Sequence, residues 1–174
     1  LGGEIKVQGF DPNHLTVVLE KLKMSGANLE ISGDSVKLGM SHSRPEPVDV
    51  ETGVYPGFPT DMQAQYMVLN SIASGKSVIQ ERIFENRFLH VQELSRLGAI
   101  IELRGNSTAV VTGVNKLTAA QVMATDLRAS SSLVIAALIA QGKTVIDRIY
   151  HIDRGYEAIE QKIRALGGVI ERVS

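Results

Sequence analysis

Apolar residues recur at helical spacing near the start of the chain, between two short apolar runs. Four of them share one face of a predicted helix: Leu15, Val18, Leu19 and Leu22. Asp11 is a suitable N-cap with Pro12 behind it, and Gly26 is a suitable residue to end the helix. The flanking runs, residues 4–7 and 27–31, are predicted to be strands.

The second half of this pattern recurs along the chain as an internal repeat. Residues 75–87 match residues 142–154, and each copy leads into an amphipathic helix that ends in glycine. The helices are predicted at residues 91–98 and 159–167. An apolar strand is predicted after each helix, at residues 99–103 and 168–173.

A more apolar helix precedes each of these two copies. The predicted helices span residues 61–73 and 126–140, and each begins at a Thr-Asp pair. Residues 133–140 are apolar on all sides, so we expect this segment to be covered all round. The helices are therefore predicted to lie in the middle and the sheets outside.

The predicted fold is α/β, an inside-out, barrel-like lobe of three repeated βαβαββ units with inner helices and outer sheets. We expect a single domain, residues 1–174, with pseudo-repeats at about 1–50, 51–115 and 116–174. The first unit is incomplete because it lacks its leading portion. A partner segment is expected to complete this edge.

Composition narrows the possible functions without choosing among them. The 174 residues are 44% hydrophobic and carry a net charge of −1, which does not favour a nucleic-acid or membrane-surface partner. The absence of cysteine excludes disulfides, thiolate metal sites and a cysteine nucleophile in this chain. The opening Leu1-Gly2-Gly3, without an initiator Met or leader, suggests a fragment or a processed product.

Asp61 is the first candidate for chemistry. Thr60 and Gln63 have the spacing of a capping box, which places Asp61 in the first turn of a helix. One interpretation is that Asp61 only complements the helix dipole. The other is a carboxylate at the edge of a cleft that accepts a hydrogen bond from a substrate hydroxyl and acts as a base in a dry, closed site.

Asp126 and Arg128 repeat this arrangement at the next helix. They could form a surface ion pair of little energetic value. Alternatively, Arg128 could belong to an anion site, since the N–H groups at a helix start already favour negative charge.

Arg87 and Arg154 occupy equivalent positions of the repeat, each just before a predicted helix. An arginine is unfavourable there because the helix dipole is positive at that end. Either an ion pair with a neighbouring acid or an anionic ligand would compensate. His90 and His151 lie near the same loops and are expected to be polar loop or surface histidines, because no spacing indicates a metal site.

Four segments resemble the enolpyruvyl transferase family, in particular the C-terminal half of its members that act on UDP-N-acetylglucosamine. They are residues 58–65, 84–88, 124–130 and 147–156, and the resemblance extends over essentially the whole chain. The sister family, 5-enolpyruvylshikimate-3-phosphate synthase, is a poorer match to these segments. The resemblance implies a two-lobed fold with the substrate site between the lobes.

The resemblance also implies a reaction and roles for six residues. The reaction transfers the enolpyruvyl group of phosphoenolpyruvate to the 3′-hydroxyl of UDP-N-acetylglucosamine and releases phosphate, as the first committed step of peptidoglycan synthesis in the cytoplasm. By position, Asp61 matches the base, Ile83 a backbone contact to the nucleotide sugar, and Arg154 a ligand of phosphoenolpyruvate. Asp126 and Arg128 match other cleft residues, and Arg87 matches an arginine that changes conformation. No cofactor, metal, nucleic acid or membrane is expected.

The family's lysine–asparagine pair, cysteine loop and second set of arginines have no counterpart here. The resemblance places them in a missing N-terminal lobe, and places a completing strand and helix before residue 1. The chain alone is therefore predicted to be inactive. Two alternatives stay open: a binding domain that recognises an anionic ligand with Arg87, Arg128 and Arg154, and the shikimate-type synthase.

Overall fold

Strands and short helices alternate along the chain. The computed structural model describes residues 3–40 and 44–173. The strands are β1 (Glu4–Gln8), β2 (Ala27–Ser32), β3 (Ser35–Met40), β4 (Val50–Glu51), β5 (Lys76–Gln80), β6 (Ile100–Arg104), β7 (Thr108–Thr112), β8 (Gln121–Met123) and β9 (Val145–Asp147). The helices are α1 (Thr16–Met24), α2 (Gln63–Ser71), α3 (His90–Arg96), α4 (Leu127–Ile139), α5 (Tyr150–Asp153) and α6 (Ile159–Ala165).

Two of the sheets share one strand arrangement. The first has the order β1-β3-β2, and the second has the order β4-β5-β7-β6. In both, the strand after the amphipathic helix pairs antiparallel with the next strand, which in turn pairs antiparallel with the strand before the helix. The third sheet is the parallel pair β8-β9. It resembles the pair β4-β5 of the second sheet, which is also parallel. The structure is therefore a mixed α/β fold.

The first helix begins and ends as its sequence predicts. The Asp11 side chain accepts a hydrogen bond from the Asn13 amide over 2.9 Å, and Gly26 has a φ of +94°. The residues after Pro12 form a 3₁₀ turn, Pro12–Leu15, before α1 proper starts. Val18 and Leu19 are buried on the face predicted from the spacing.

The core lies around α2 and α4, which pack against each other. All but two of the nine residues of α2 are buried. The α4 helix differs from its prediction on one side, because Ile135 and Leu138 are each 41% exposed. Its apolar surface is thus not covered all round by the described residues.

The first sheet also leaves part of an apolar face open. Cross-strand pairing puts Ile5, Val7 and Ile31 on the same face as Val36. Val36 is buried, but Ile5, Val7 and Ile31 are 38%, 50% and 58% exposed. In the second sheet the face formed by β5 and β7 is covered by α2. We refer to Ile5, Val7 and Ile31 of this sheet as the open apolar face.

The strand predicted at residues 168–173 is not formed. This segment has no regular structure, and Val169 is 98% exposed. The corresponding strand of the previous copy, β6, pairs with β7. No strand of the described residues pairs with this segment, although the Gly168 amide donates to the Ile163 carbonyl over 3.0 Å.

The link between the first and second units is fixed to the end of α2. Arg44 donates hydrogen bonds to the carbonyls of Ile72 and Val114, each over 3.1 Å, and to the carbonyl of Ala73. A cation at a helix C-terminus satisfies carbonyls that have no partner within the helix. Arg44 therefore holds α2 from the end opposite to Asp61.

Candidate functional site

Asp61 lies in a turn that leads into α2 and is held by an arginine from another helix. A 3₁₀ turn, Thr60–Met62, follows Pro59, and α2 starts at Gln63. Arg128 donates from Nε to Asp61 Oδ1 and from Nη2 to Asp61 Oδ2, the second over 3.1 Å. Both oxygens of the carboxylate are thus engaged by one planar guanidinium.

The capping box predicted for this turn is wrong. Thr60 caps no amide, since its hydroxyl donates to Glu81 Oε2 over 2.8 Å, and Pro59 occupies the N-cap position. Gln63 does not reach back to the turn, because it is buried within the fold. Thr60 therefore has a tertiary partner that its local sequence does not indicate.

Asp126 and Arg128 do not form the surface pair that was one interpretation of their spacing. The Asp126 side chain is the N-cap of α4 and accepts from the amides of Arg128 and Ala129, each over 2.9 Å. The Arg128 guanidinium points to Asp61 instead, and this bond raises the pKa of Arg128 above its usual value. The starts of α2 and α4 thereby meet through one ion pair.

Arg87 is a second cation beside Asp61. Its Nη2 lies 4.0 Å from Asp61 Oδ1, and its Cζ lies 4.5 Å from the centre of the Phe84 ring. No ion pair joins Arg87 to Glu85 in the described part of the chain. The interpretation that a neighbouring acid compensates Arg87 is therefore wrong for this arginine.

Arg154 ends α5 and is exposed. Its neighbour Asp153 pairs with Arg172 instead, over 2.9 and 2.7 Å. Within residues 3–40 and 44–173 no hydrogen bond or ion pair involves the Arg154 side chain. An ion pair with the adjacent acid is excluded here too.

Arg154 belongs to the same edge of the fold as Arg128. The next residue, Gly155, packs so closely on α4 that a Cβ there would lie 2.8 Å from Leu127 Cδ1. Leu127 is the first residue of α4 and directly precedes Arg128. The structure therefore brings Arg87 and Arg128 to Asp61, and places the backbone next to Arg154 against the first residue of α4.

Sequence reasoning did not find Glu81, which is the best-connected acid of this region. It is 2% exposed and accepts from Thr52 Oγ1, Thr60 Oγ1 and the Ile83 amide over 2.8 Å each, and from the Phe84 amide over 3.1 Å. We call these five residues the Glu81 cluster. The equivalent residue of the other repeat copy is Arg148, so the repeat did not indicate an acid at this position of the unit.

Ile83 can offer only one backbone group to a ligand. Its amide is already bonded to Glu81. Its carbonyl accepts no hydrogen bond from any residue that the structure describes. A ligand contact through the backbone of Ile83 would therefore use the carbonyl as an acceptor.

His90 is buried, so its prediction as a loop or surface residue is wrong. It begins α3, and its Nε2 has no partner among the described atoms. Burial lowers the pKa of His90 to about 4, with Asp126 favouring the charged form and the Arg87 side chain opposing it. The imidazole is thus neutral in the folded protein near pH 7.

His90 should make the fold less stable in mild acid. The unfolded chain binds a proton at His90 below about pH 6.5, while the folded chain does so only near pH 4. The stability contributed by neutral His90 is present above pH 6.5 and lost as the pH falls to 4, by about 3 kcal/mol in total. Urea unfolding at several pH values should show a flatter dependence for His90→Asn than for wild type. The exposed His14 provides the control His14→Asn, and identical curves for wild type and His90→Asn would exclude His90 as the cause.

Residues 3–40 and 44–173 contain no group of three or more His, Asp and Glu side chains arranged to hold a metal ion. In the same ranges no helix has the length and apolar character needed to cross a bilayer.

Comparison with known proteins identifies the family of this chain. The model of the family EPSP synthase (3-phosphoshikimate 1-carboxyvinyltransferase) matches residues 1–163. The chain belongs to this family. Among its curated relatives, the UDP-N-acetylglucosamine 1-carboxyvinyltransferases of Shewanella pealeana and Shewanella halifaxensis are each 57% identical over 171 residues. The match covers 98% of this chain but 40% of each relative, so the chain spans about two fifths of their length.

Solved structures of the family have the same fold. The enolpyruvyl transferase NikO from Streptomyces tendae is 25% identical, with a TM-score of 0.86 over 97% of this chain and 40% of its own. An EPSP synthase from Acinetobacter baumannii is 16% identical, with a TM-score of 0.75 over 99% of this chain and 40% of its own. The enolpyruvyl transferase fold of the chain is thus supported by structure as well as by sequence.

Proposed function

We propose that this chain is the C-terminal lobe of an enzyme that transfers the enolpyruvyl group of phosphoenolpyruvate to the 3′-hydroxyl of UDP-N-acetylglucosamine and releases phosphate. The observation that carries the proposal is the contact between Asp61 and Arg128, with Arg87 beside them. It puts a carboxylate and two cations at the joined starts of α2 and α4. The names of the relatives at 57% identity support the nucleotide sugar as acceptor.

The charges of this region suit the donor substrate. Phosphoenolpyruvate carries a carboxylate and a phosphate, and a guanidinium binds either of them through two parallel hydrogen bonds. Arg154 is exposed and unpaired in the part of the chain that the structure describes, so it is free to bind such an anion. Arg87 and Arg128 supply two more cations once they leave Asp61.

Asp61 serves as the base in this proposal. The hydroxyl oxygen adds to C2 of phosphoenolpyruvate, the hydroxyl proton goes to Asp61, and a group outside this chain gives a proton to C3. Loss of a proton from C3 then expels phosphate by breaking the C2–O bond, which leaves the enolpyruvyl ether. Each Asp61 oxygen accepts one hydrogen bond from Arg128 and keeps room for another, so the substrate hydroxyl can bind to Asp61 beside the arginine.

Ile83 and Asp126 have supporting roles. The free carbonyl of Ile83 suits a hydrogen-bond donor on the nucleotide sugar. Asp126 fixes the first turn of α4, and so the backbone from which Arg128 extends. We place the reaction in the cytoplasm as the first committed step of peptidoglycan synthesis.

We also propose that the rest of the same protein covers the open apolar face. The shared strand order of the first two sheets supports three repeated units, at about residues 1–50, 51–115 and 116–174, in one inside-out, barrel-like domain. The first unit then lacks the strand and helix that correspond to β4 and α2. A helix in that position would pack on the first sheet as α2 packs on β5 and β7, and would cover Ile5, Val7 and Ile31.

The chain alone should be inactive, and a chimera should be active. In the chimera, this chain replaces the matching 171 residues of the Shewanella pealeana protein. Phosphate release from phosphoenolpyruvate with UDP-N-acetylglucosamine should be absent for the isolated chain and present for the chimera. The isolated chain lacks the groups that the other lobe supplies.

The acceptor provides the control for this experiment. The family description names 3-phosphoshikimate, so shikimate 3-phosphate is tested beside the nucleotide sugar. Release with shikimate 3-phosphate alone would overturn the proposed acceptor. Turnover by the isolated chain, or a folded chimera that binds phosphoenolpyruvate without releasing phosphate, would contradict the proposed lobe.

A further inference from the structure

Glu81 is a buried carboxylate whose position is fixed from both of its ends. Its amide donates to the Ser107 carbonyl over 2.8 Å, which ties its backbone to the turn between β6 and β7. Its carboxylate receives four hydrogen bonds from the Glu81 cluster. Such a buried anion persists only where donors surround it.

The four donors come from three separate segments of the chain. Thr52 follows β4, Thr60 belongs to the turn that carries Asp61, and Ile83 and Phe84 belong to the loop after β5. The Phe84 ring lies under Arg87, which is itself the second cation beside Asp61. The Thr60 branch of the Glu81 cluster thus leads to Asp61, and the Phe84 branch leads to Arg87.

We propose that Glu81 is a positioning residue that sets the Asp61 turn and the Ile83–Phe84 loop at a fixed separation. The proposal rests on the function proposed above, because it is that reaction which needs both segments. Oε2 holds the Asp61 turn through Thr60, and Oε1 holds Thr52 and the two loop amides. Glu81 itself touches no substrate.

The carboxylate of Glu81 suits these four donors. It is an acceptor without a hydrogen of its own, and its two oxygens have room for about four hydrogen bonds. The Thr52 hydroxyl donates to Glu81 and accepts from the Arg82 amide over 2.8 Å, so its direction is set. Glutamine keeps one carbonyl oxygen for the loop amides but presents an N–H₂ group to Thr60.

Hydrogen exchange tests the structural half of the proposal in the 174-residue chain. Methionine has nearly the shape of glutamate but no strong acceptor, so Glu81→Met should speed exchange at the Ile83 and Phe84 amides by roughly tenfold or more. Amides of β7 report global unfolding, and their exchange should speed up less than that of the Ile83 and Phe84 amides. Glu81→Gln should restore slow exchange in part through its carbonyl, and serves as the test if Glu81→Met does not fold.

Kinetics of the chimera tests the functional half. Thr60→Val removes only the branch that leads to Asp61, so kcat should fall roughly tenfold while the KM for UDP-N-acetylglucosamine stays unchanged. Glu81→Met removes the Ile83 branch as well and should raise that KM too. A purely structural role would lower the unfolding temperature without this division between kcat and KM.

The outcomes separate the two proposals. Wild-type exchange rates at the Ile83 and Phe84 amides in Glu81→Met would overturn the role of Glu81 whatever the chimera does. Faster exchange with unchanged kcat and KM in the chimera would overturn it as well. A wild-type chimera with no activity would instead defeat the proposed function, while the exchange rates still decide whether Glu81 holds the loop.

Discussion

Replacing Asp61 by asparagine should lower the turnover of the chimera by roughly 10²- to 10⁴-fold, the range expected for loss of a general base. Asparagine keeps the size of the side chain and one acceptor for Arg128, but it cannot take the hydroxyl proton. Phosphate release from phosphoenolpyruvate with UDP-N-acetylglucosamine measures the effect. Unfolding in urea should differ little between the two proteins, since Asp61 is exposed.

Asp49→Asn is the matched control for this prediction. Asp49 is also an exposed aspartate that accepts a hydrogen bond, from the Val78 amide over 2.7 Å, and it is not part of the candidate site. The same change of carboxylate to amide should leave turnover at the wild-type rate. If Asp61→Asn stayed within tenfold of wild type, Asp61 would not be the base, and its pairing with Arg128 would be structural.

The repeat in the sequence predicts where the candidate site lies, because it identifies equivalent helix starts. Equivalent Thr-Asp pairs precede α2 and α4, and equivalent helices of a repeat tend to present their starts on one side of a domain. The partner of each side chain could not be predicted in this way. Asp61 and Arg128 are 67 residues apart, and nothing local to Arg128 favours Asp61 over the nearer Asp126.

The failures share one origin, since local sequence does not indicate which distant groups a residue will meet. Thr60 has good capping-box spacing, but its hydroxyl donates to the buried Glu81 carboxylate. A hydrogen bond to a charged acceptor is stronger than one to a neutral helix amide. His90 comes soon after the polar segment Glu85-Asn86-Arg87 in sequence, but as the first residue of α3 it lies in the core. Residues 168–173 have a strand-like pattern, but a strand also needs a neighbour with which to pair.

At the open apolar face, the repeat predicts that a segment is missing but does not indicate which residues that segment would cover. A missing leading portion of the first unit could be inferred from the pattern of copies. Only the structure indicates that Ile5, Val7 and Ile31 are exposed on the first sheet and that Ile135 and Leu138 are exposed on α4. Exposed apolar clusters of this kind mark surfaces that another segment covers.

The junction at the end of α2 leaves no room for any side chain at Gly113. Its amide donates to the Gly75 carbonyl over 2.9 Å, and the next amide, of Val114, donates to the Ser71 carbonyl over 2.8 Å. A Cβ on Gly113 would lie 2.0 Å from the Ala73 carbonyl oxygen and 2.9 Å from the Ala73 nitrogen. These are backbone atoms, so no rotation of a side chain can relieve the contact.

Gly113→Ala should therefore destabilise the chain by about 3 kcal/mol or more, at the upper end of the cost of overpacking. The effect is steric, because the φ of Gly113 does not lie in the positive region that favours glycine. Urea unfolding measures it, and Gly39→Ala in β3 is the control, since the nearest atom to a Cβ there is 3.7 Å away. Equal unfolding midpoints for the two variants would contradict the close packing at this junction. Asp61 lies in the turn before α2, at the end of the helix opposite to Gly113. A shift of α2 that relieved the contact would therefore also weaken the Asp61–Arg128 pair. The chimera with Gly113→Ala should lose activity together with stability.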